Sequence, residues 1–346
     1  MIDWIDLEID IEHEPLGDEY YKRFVDDTEI AQVCFNQQVY GSYSSVINVK
    51  SMNVRNGIAR RLKIFGNPLK WKQGHNLFGT NNVQSLCRSL ILDILSVIGL
   101  DTSEDEAQAI NDGRYLIRKI HITECFQLKT VTDVLHWIEG VFYCSKSNHK
   151  DKTLYENNTL YFGKGSRRWT VKIYSKGKEL ERHPLPRSLA MRGELERFAQ
   201  NLLRVELELE TMELKDMGLK YGSDWKEGIP EKLFNEKMQD IVIPENIPLS
   251  DEKLLELPHN YRGTYLHWAA GKSMEGFFNN RQTRKKHRDK LREYGIDISV
   301  PPRNAQESNV IPMWRRLILE PVQVPEWAYE TPLFFERKLD QVSNIS

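Results

Sequence analysis

Three short segments of the chain contain polar side chains that can bind a metal ion or attack phosphorus. In each segment the neighbouring side chains are mostly apolar. They are KIHIT at 119–123, KIYSK at 172–176 and RVELE at 204–208. Successive side chains of a β-strand point to opposite faces, so we expect His121, Tyr174 and Glu206 to project from the face opposite the core. If the three strands are neighbours, these side chains meet on one open face of a sheet.

This combination of side chains suits cleavage of a phosphodiester by the protein itself. Histidine and carboxylate groups can share a divalent cation, and tyrosine supplies an oxygen nucleophile. The cation offsets charge on the phosphate, and Lys172 and Lys176 beside the tyrosine favour loss of its proton, whose free pKa is about 10. The tyrosyl ester conserves the bond energy for resealing. Pattern alone favours a plainer interpretation, a packing tyrosine and a solvated glutamate.

Length and composition are those of an ordinary globular protein. The 346 residues allow a sizeable core and two domains, and the net charge of −2 predicts no partner by itself. The four cysteines are far apart and show no zinc-binding spacing, which indicates a reducing compartment. The acidic start, MIDWIDLEID, differs from a signal peptide, and no apolar run approaches the roughly 18 residues of a spanning helix. We expect a cytoplasmic protein with no membrane partner.

The order of periodic segments predicts an α+β fold, an antiparallel sheet with helices on one face, plus a small helical C-terminal module. Alternation predicts strands over the segments MIDWIDLEIDIE, SYSSVINVK, RRLKIFG, YLIRKIHITECF, TLYENNTLYFG, RRWTVKIYSK and RVELELE. Helical spacing predicts helices over VQSLCRSLILDILSVIGL, TVTDVLHWIEGVFYC and SLAMRGELERFAQNLL. We place a catalytic unit at 1–217, a linker around IVIPENIPLSDEK at 218–258, and the helical module at 259–346.

The centre of the C-terminal module is RQTRKKHRDKLR, which holds seven lysines or arginines and a single acid. His287, Leu291 and Tyr294 form a narrow stripe at helical spacing, so we expect a helix anchored on one side. Such a run is often only a solvated face, but its single sign favours phosphate contact. The residues expected to contact DNA are Arg281, Arg284, Lys285, Lys286 and Arg288. With short helices over RGTYLHWAAG and SMEGFF, the module is helix-turn-helix-like.

Several motifs, in order over nearly the full length, resemble the filamentous phage gene II protein family of phage and plasmid replication proteins. They are MIDW, KQGHNLFGT at 72–80, KIHIT, LYFGKGSRRWTVKIYSKGKEL, RVELELE and REYGIDI, of which QGHNLFG is the most specific. The resemblance implies a rolling-circle replication initiator. Such an enzyme nicks one strand of supercoiled origin DNA and later rejoins the displaced single strand. It would work in the host cytoplasm with the host helicase and replication machinery.

The resemblance also implies roles for individual residues. As in plasmid rolling-circle initiators, Tyr174 matches the nucleophile, Lys176 its companion lysine, and Glu206 an acidic ligand of Mg²⁺ or Mn²⁺. Lys172, beside the tyrosine, is expected to contact DNA. The strand that normally reads arginine, apolar, aspartate ends in His121 here. Imidazole binds Mn²⁺ well, so we keep His121 as a metal ligand.

Three further polar residues have two interpretations each. QGHNLFG contains two glycines, so its backbone can approach a ligand closely, and we expect His75 to bind metal and Asn76 to contact DNA. The alternative for both is a turn capped by Asn76. Asp3 of MIDW either faces the site or lies on a solvated acidic strand, and we favour the second.

Two other functions remain open from the sequence. A non-catalytic origin-binding protein or repressor on a decayed nickase scaffold would bind the origin without cutting it, and the histidine at position 121 is the feature that favours it. A metal nuclease that uses water in place of tyrosine would leave a free 5′ phosphate and no covalent adduct.

Overall fold

The computed structural model describes most of the chain. The described ranges are 1–17, 19–25, 28–43, 45–144, 146–147, 151–156, 158–239, 241–242, 249, 251–274, 276–299, 302, 321–329 and 331–335. Much of the predicted IVIPENIPLSDEK linker and of the C-terminal tail lies outside these ranges.

The strands of the described ranges form one large sheet and two small ribbons. The strands are β1 (Ile2–His13), β2 (Glu19–Val25), β3 (Thr28–Cys34), β4 (Asn36–Tyr40), β5 (Val46–Met52), β6 (Ala59–Gly66), β7 (Leu116–Gln127), β8 (Lys146–Ser147), β9 (Lys152–Tyr155), β10 (Thr159–Phe162), β11 (Trp169–Ser175), β12 (Leu202–Glu210) and β13 (Ile241–Val242). The large sheet has the order β4-β5-β6-β1-β7-β12-β11-β10-β9, and its neighbouring strands pair antiparallel. The predicted antiparallel sheet is confirmed.

Helices occupy the connections and the C-terminal region. They are α1 (Pro68–Gln73), α2 (Val83–Ile98), α3 (Glu104–Asn111), α4 (Val131–Cys144), α5 (Lys176–Arg182), α6 (Arg192–Ala199), α7 (Thr211–Asp216), α8 (Ile229–Gln239), α9 (Asp251–Glu256), α10 (His259–Ala269) and α11 (Arg281–Arg292), with 3₁₀ turns at Gly222–Asp224 and Glu326–Ala328. Across the described ranges, no helix combines the length and apolar character needed to cross a membrane.

Side-chain alternation gives the large sheet an apolar face and a polar face. The apolar face of the central strands is fully buried and includes Ile5, Leu7, Ile120, Ile122, Val171, Ile173, Val205 and Leu207. Helices α2, α4 and α8 contribute to the same buried cluster. The opposite surface of β1, β7, β12 and β11 is called the polar face below. It carries charged side chains, including the predicted site residues of these strands.

Helix α2 is set by its two ends and by its apolar stripe. The Asn82 side chain caps the start by accepting a hydrogen bond from Ser85 N at 2.9 Å. Gly99, with φ of 69°, ends the helix in the left-handed region that glycine tolerates. Between them, Leu90 and Ile94 are fully buried. The predicted helix is confirmed.

A second apolar cluster closes one end of the polar face. Cys125 of β7 and Leu202 of β12 lie in it together with α6. The return segment, residues 321–335 without 330, comes back from the C-terminal part of the chain and adds Leu333. Val322 N donates to Cys125 O at 2.8 Å. Residues far apart in sequence are thus joined beside the site strands.

The C-terminal helices have their own buried cluster, centred on Trp268 between α10 and α11. The Asn280 side chain caps α11 by accepting from Thr283 N at 2.7 Å, and Gly295 with φ of 78° follows its end. The helical C-terminal region is confirmed. The segment SMEGFF is different, because its described residues 273–274 and 276–278 form no helix.

Two boundaries near the site differ from the prediction. The KIYSK strand stops at Ser175, whose hydroxyl accepts a hydrogen bond from Lys178 N at 3.4 Å, so Lys176 begins α5. The helix predicted over SLAMRGELERFAQNLL is confined to Arg192–Ala199, since its last two leucines already belong to β12.

Part of the predicted linker packs with the sheet. Trp225, Leu233 and Phe234 are buried in the main cluster, the last two from α8. The boundaries at 217 and 258 stay a prediction.

The two faces of α2 give a matched stability test. Leu90→Ala removes a side chain that is 0 % exposed, so we expect the free energy of unfolding to fall by about 2–5 kcal/mol from reduced burial and the cavity left behind. Leu92→Ala, at a position 36 % exposed on the same helix, should cost less than about 1 kcal/mol. Urea unfolding measures both values. Equal decreases would contradict the assigned orientation of α2.

Candidate active site

The register of the sheet brings the three predicted strands side by side. β12 lies between β7 and β11, and Glu206 is opposite Thr123 on one side and Lys172 on the other. Tyr174 follows Lys172 by two residues and is opposite Arg204, which precedes Glu206 by two residues. All four side chains therefore lie on the same face of the sheet. The assumption of adjacent strands is correct.

A carboxylate of the first strand completes the group. Donor atoms of Asp3, His121 and Glu206 all lie within 4.8 Å of one another. The pairing of β1 with β7 shifts between Ile2 and Trp4, so Asp3 is the extra residue of a β-bulge. The bulge turns the carboxylate inward, where it is buried. Our expectation of a solvated Asp3 is wrong, because simple alternation does not anticipate a bulge.

The RVELE segment gives no sign of a role for Arg204, which is fully buried between the two carboxylates. Its Nη2 lies 2.8 Å from Asp3 Oδ1, and its Nε donates to Glu206 Oε1 at 2.9 Å. Its Nη1 donates to the backbone oxygen of Asn76. Burial is the largest influence and would raise both carboxyl pKa values. Arg204, together with Lys176 and Asn76 at Asp3 and with Lys172 at Glu206, more than offsets burial, so the pKa of each carboxyl is lowered. Both groups are therefore anionic at neutral pH.

Tyr174 lies in the same polar group. It is 5 % exposed, and its hydroxyl donates to Glu206 Oε1 at 2.7 Å. Lys172 Nζ lies 4.3 Å from the centroid of the tyrosine ring and 3.5 Å from Glu206 Oε2. Burial raises the pKa of Tyr174 well above its usual value, although Arg204 opposes the rise. The expected activation by neighbouring lysines is thus outweighed by burial, and the phenol is neutral in the free protein.

His121 presents a lone pair to this group. Its Nε2 is buried and has no hydrogen-bond partner among the described residues, while Glu208 Oε2 lies 3.8 Å away. The indole of Trp4 stacks on the imidazole, with ring centroids 6.1 Å apart. Burial lowers the pKa of His121 despite the nearby carboxylates, so the ring is neutral near pH 7. An unpaired, buried imidazole nitrogen is what a metal ligand requires.

The donor set fits a hard divalent cation. Asp3, His121 and Glu206 each offer one atom, which gives two carboxylate oxygens and one imidazole nitrogen. Carboxylate oxygens suit Mg²⁺ and Mn²⁺, and imidazole is accepted by Mn²⁺. Asn67 and Asn76 both donate to Asp3 Oδ1 at 2.7 Å, and such second partners fix the orientation of a ligand.

Lys176 and Asn76 lie in a buried layer behind the group. Lys176 Nζ donates to Asn76 Oδ1 at 3.1 Å and to Glu179 Oε2 at 2.6 Å, and burial lowers its pKa to about 8. The Asn76 side chain donates a hydrogen bond from its amide nitrogen to Asp3 and accepts one at its oxygen from Lys176. The predicted DNA contact of Asn76 conflicts with this burial. The structure gives Lys176 a positioning contact to Asn76 rather than one to the tyrosine.

His75 is held by the return segment. It is fully buried, its Nδ1 accepts from Leu77 N at 3.2 Å, and its Nε2 lies 2.8 Å from Leu333 O. Because one nitrogen accepts and the other donates to a carbonyl, no lone pair is left for a cation. The predicted metal role of His75 conflicts with this arrangement. The alternative, a turn capped by Asn76, conflicts with the hydrogen bonds of the Asn76 side chain to Asp3 and Lys176.

The cationic side chains predicted to contact DNA from the basic helix α11 are of two kinds, exposed ones and one that is paired with a carboxylate. Arg281, Arg284, Lys285 and Lys286 are exposed. Arg288 instead donates from Nε and Nη2 to the buried carboxylate of Asp297, at 2.7 and 2.9 Å. The predicted DNA contact of Arg288 conflicts with this bidentate pair, which the short REYGIDI motif did not reveal.

Comparisons with known proteins place the chain among replication proteins. The N-terminal family of the replication-associated gene II protein matches residues 1–228, and the C-terminal family of the same protein matches residues 249–334. The replication-associated gene II protein of Enterobacteria phage I2-2 is 32% identical over 346 residues, which covers 98% of this chain and 99% of that protein. A solved rolling circle replication initiator protein from Geobacillus stearothermophilus aligns over 77% of this chain and 95% of its own, with 10% identity and a TM-score of 0.32.

Burial of His75 predicts a specific pH dependence of stability. Its pKa falls from 6.5 to about 4 on folding. Between these two pH values the imidazole is protonated in the unfolded chain but neutral in the folded chain. The stabilisation is complete above pH 6.5 and is lost as the pH falls towards 4, by up to about 3 kcal/mol.

Urea unfolding at a series of pH values measures this decrease. His75→Gln keeps a donor and an acceptor but does not titrate, so its free energy of unfolding should fall less than that of the wild type between pH 6.5 and 4. Parallel curves for the two proteins would contradict the buried, neutral state of His75.

Proposed function

The chain belongs to the replication-associated gene II protein family, and we propose that it initiates rolling-circle replication by nicking and rejoining one strand of origin DNA. The supporting observation is the position of the Tyr174 hydroxyl, 2.7 Å from Glu206 and beside the group formed with Asp3 and His121. A nucleophile, two carboxylates and a neutral imidazole on one face are what cleavage by a side chain requires.

Tyr174 is the nucleophile of the proposed reaction. Its oxygen attacks the scissile phosphorus, so a bond forms between tyrosine oxygen and phosphorus while the bond from phosphorus to the 3′ oxygen breaks. The 5′ phosphate stays on the tyrosine, and the leaving oxygen takes up a proton to become the 3′ hydroxyl that primes synthesis. Attack by a later 3′ hydroxyl on the tyrosyl ester reverses these steps and closes the displaced strand.

Glu206 is placed to receive the tyrosine proton. It already accepts the phenolic hydrogen bond, so proton transfer needs no rearrangement. Arg204 holds Glu206 and Asp3 in position and cancels part of their charge. Lys172 lies at the open side of the group, where its ammonium can contact a phosphate.

Asp3, His121 and Glu206 are the residues that would hold a cation. A bound Mg²⁺ or Mn²⁺ would offset negative charge on the non-bridging phosphate oxygens and on the tyrosine oxygen. In the same proposal the exposed cations of α11 bind the origin duplex, and host helicase and replication machinery act with the protein in the host cytoplasm.

Trapping the covalent adduct tests this function. A supercoiled plasmid with the cognate origin, incubated with the protein and Mg²⁺ or Mn²⁺, should give open circles with protein on the 5′ end. Tyr174→Phe should abolish both products because it has no oxygen to attack phosphorus, and a tryptic map of the wild-type adduct should name Tyr174. Tyr221→Phe is the control, since Tyr221 is 42 % exposed and bridges to Leu116 at the other end of β7.

The outcomes separate three functions. An adduct that depends on Tyr174 supports the proposal. Open circles with a free 5′ phosphate and no adduct would indicate a metal nuclease that uses water. Origin binding without cleavage in any divalent metal would indicate a non-catalytic origin-binding protein.

The exposed part of α11 predicts the salt dependence of duplex binding. Replacing Arg284 and Lys285 together by glutamine should weaken binding and flatten the slope of log K against log salt by about 0.9 for each phosphate that is no longer neutralised. The charge-matched control replaces the exposed Lys215 and Lys220 by glutamine. A slope that matches the wild type in the Arg284 and Lys285 variant would remove α11 from the interface.

A further inference from the structure

Next to the nucleophile, the outer hairpin of β9 and β10 carries two tyrosines that the proposed chemistry does not use. The rings of Tyr155 and Tyr161 meet edge to face, with centroids 5.5 Å apart. The ammonium of Lys164 lies 3.8 Å from the centroid of Tyr155 and 5.2 Å from that of Tyr161. Tyr155 is 40 % exposed, Tyr161 is half-buried and Lys164 is exposed.

The strand register puts both rings on the polar face, in line with the site. Tyr161 is opposite Lys172, and Thr159 is opposite Tyr174 on one side and Tyr155 on the other. Tyr155 is therefore two strand spacings from the nucleophile, about 10 Å. This span corresponds to roughly three stacked nucleotides.

The core does not account for these tyrosines. Leu160 and Phe162 occupy the opposite face of β10 and are fully buried, and Leu154 of β9 packs against the same cluster. These apolar side chains hold β9 and β10 on the core without the two tyrosines. The tyrosine rings are therefore available to contact a ligand.

We propose that Tyr155 and Tyr161 form a stacking platform for unpaired bases of the cleaved strand beside the scissile phosphate, with Lys164 as its phosphate contact. The inference rests on the proposed function for the identity of the strand. In the free protein the ammonium of Lys164 lies against the ring of Tyr155 and donates a hydrogen bond to the Tyr155 hydroxyl. A base takes that position, and the released ammonium moves to a backbone phosphate.

The chemistry of the patch favours single-stranded DNA as the occupant. Exposed aromatic faces stack on bases of any sequence, and neighbouring cations follow the backbone. Lys164 is exposed beside the rings, and Lys172 lies between Tyr161 and Glu206 in the sheet. Bases of an intact duplex keep their faces stacked on each other, so a duplex cannot use this platform.

Binding of a labelled oligothymidine, followed by fluorescence anisotropy without divalent cations, tests the platform. All variants are made in Tyr174→Phe protein, so that no cleavage interferes. Tyr155→Ala and Tyr161→Ala should each weaken binding roughly 5- to 150-fold, the range for removal of one stacked base. Tyr155→Phe and Tyr161→Phe keep the aromatic face and should bind within about twofold of the parent.

The salt dependence separates stacking from charge. Lys164→Gln should reduce the slope of log K against log salt by about 0.7, the value for one phosphate of a single strand. The two alanine variants should keep the parent slope. Tyr221→Ala is the matched control, because Tyr221 is also exposed with a lysine, Lys220, 5.2 Å from its ring centroid. It should bind as the parent does.

Several results would overturn the platform. They are unchanged affinity of both alanine variants, equal weakening in the phenylalanine variants, an equal weakening of duplex binding, or no affinity of the parent for oligothymidine. Thermal unfolding of each alanine variant beside its phenylalanine partner shows whether weaker binding reflects misfolding. Adduct formation by wild-type protein is scored separately, so the platform and the nicking reaction can fail independently.

Discussion

The buried guanidinium of Arg204 is the interaction on which the site depends. It joins Asp3 of β1, Glu206 of β12 and the backbone of Asn76, three parts of the chain that no local interaction brings together. Two buried carboxylates facing each other would repel, and leaving a buried charge unpaired costs about 3–5 kcal/mol. The guanidinium is therefore the strongest of the charges that keep the pKa of both buried carboxyls low and the carboxylates ionised. The orientation of the donor oxygens, the hydrogen bond from Tyr174 and the layer behind Asp3 all follow from its position.

Charge also explains why a histidine is compatible with this centre. The group has two anionic carboxylates, one guanidinium and a neutral imidazole, so it keeps about one net negative charge before Lys172 is counted. An aspartate in place of His121 would add a second. The histidine thus gives a less acidic donor set, in which the ligand atoms offered are two oxygens and one nitrogen.

Periodicity was enough to find the centre of the site but not its surroundings. Alternation put His121, Tyr174 and Glu206 on one face, because strands with a buried face have a fixed register. It could not place Asp3, which depends on a bulge, nor the guanidinium, whose partners lie on other elements. The glycine-containing motif predicts a metal for His75 and the basic run predicts DNA for Arg288, yet Leu333 O and Asp297 already bind these two side chains. A sequence pattern identifies a polar side chain, but only the fold shows which partner within the protein already binds it.

The return segment gives this protein an order of assembly. Asn76, which contacts both Arg204 and Asp3, follows directly after His75, and His75 is fixed by the carbonyl of Leu333, 258 residues later. Strand β1 leaves the ribosome long before Leu333, so the loop that orients its carboxylate is secured only after Leu333 has been made. At about 5–20 residues per second, that delay is on the order of 15 s or more. A nascent chain therefore contains Asn76 long before Leu333, and the contact between His75 and Leu333 can form only in chains that have been translated past Leu333.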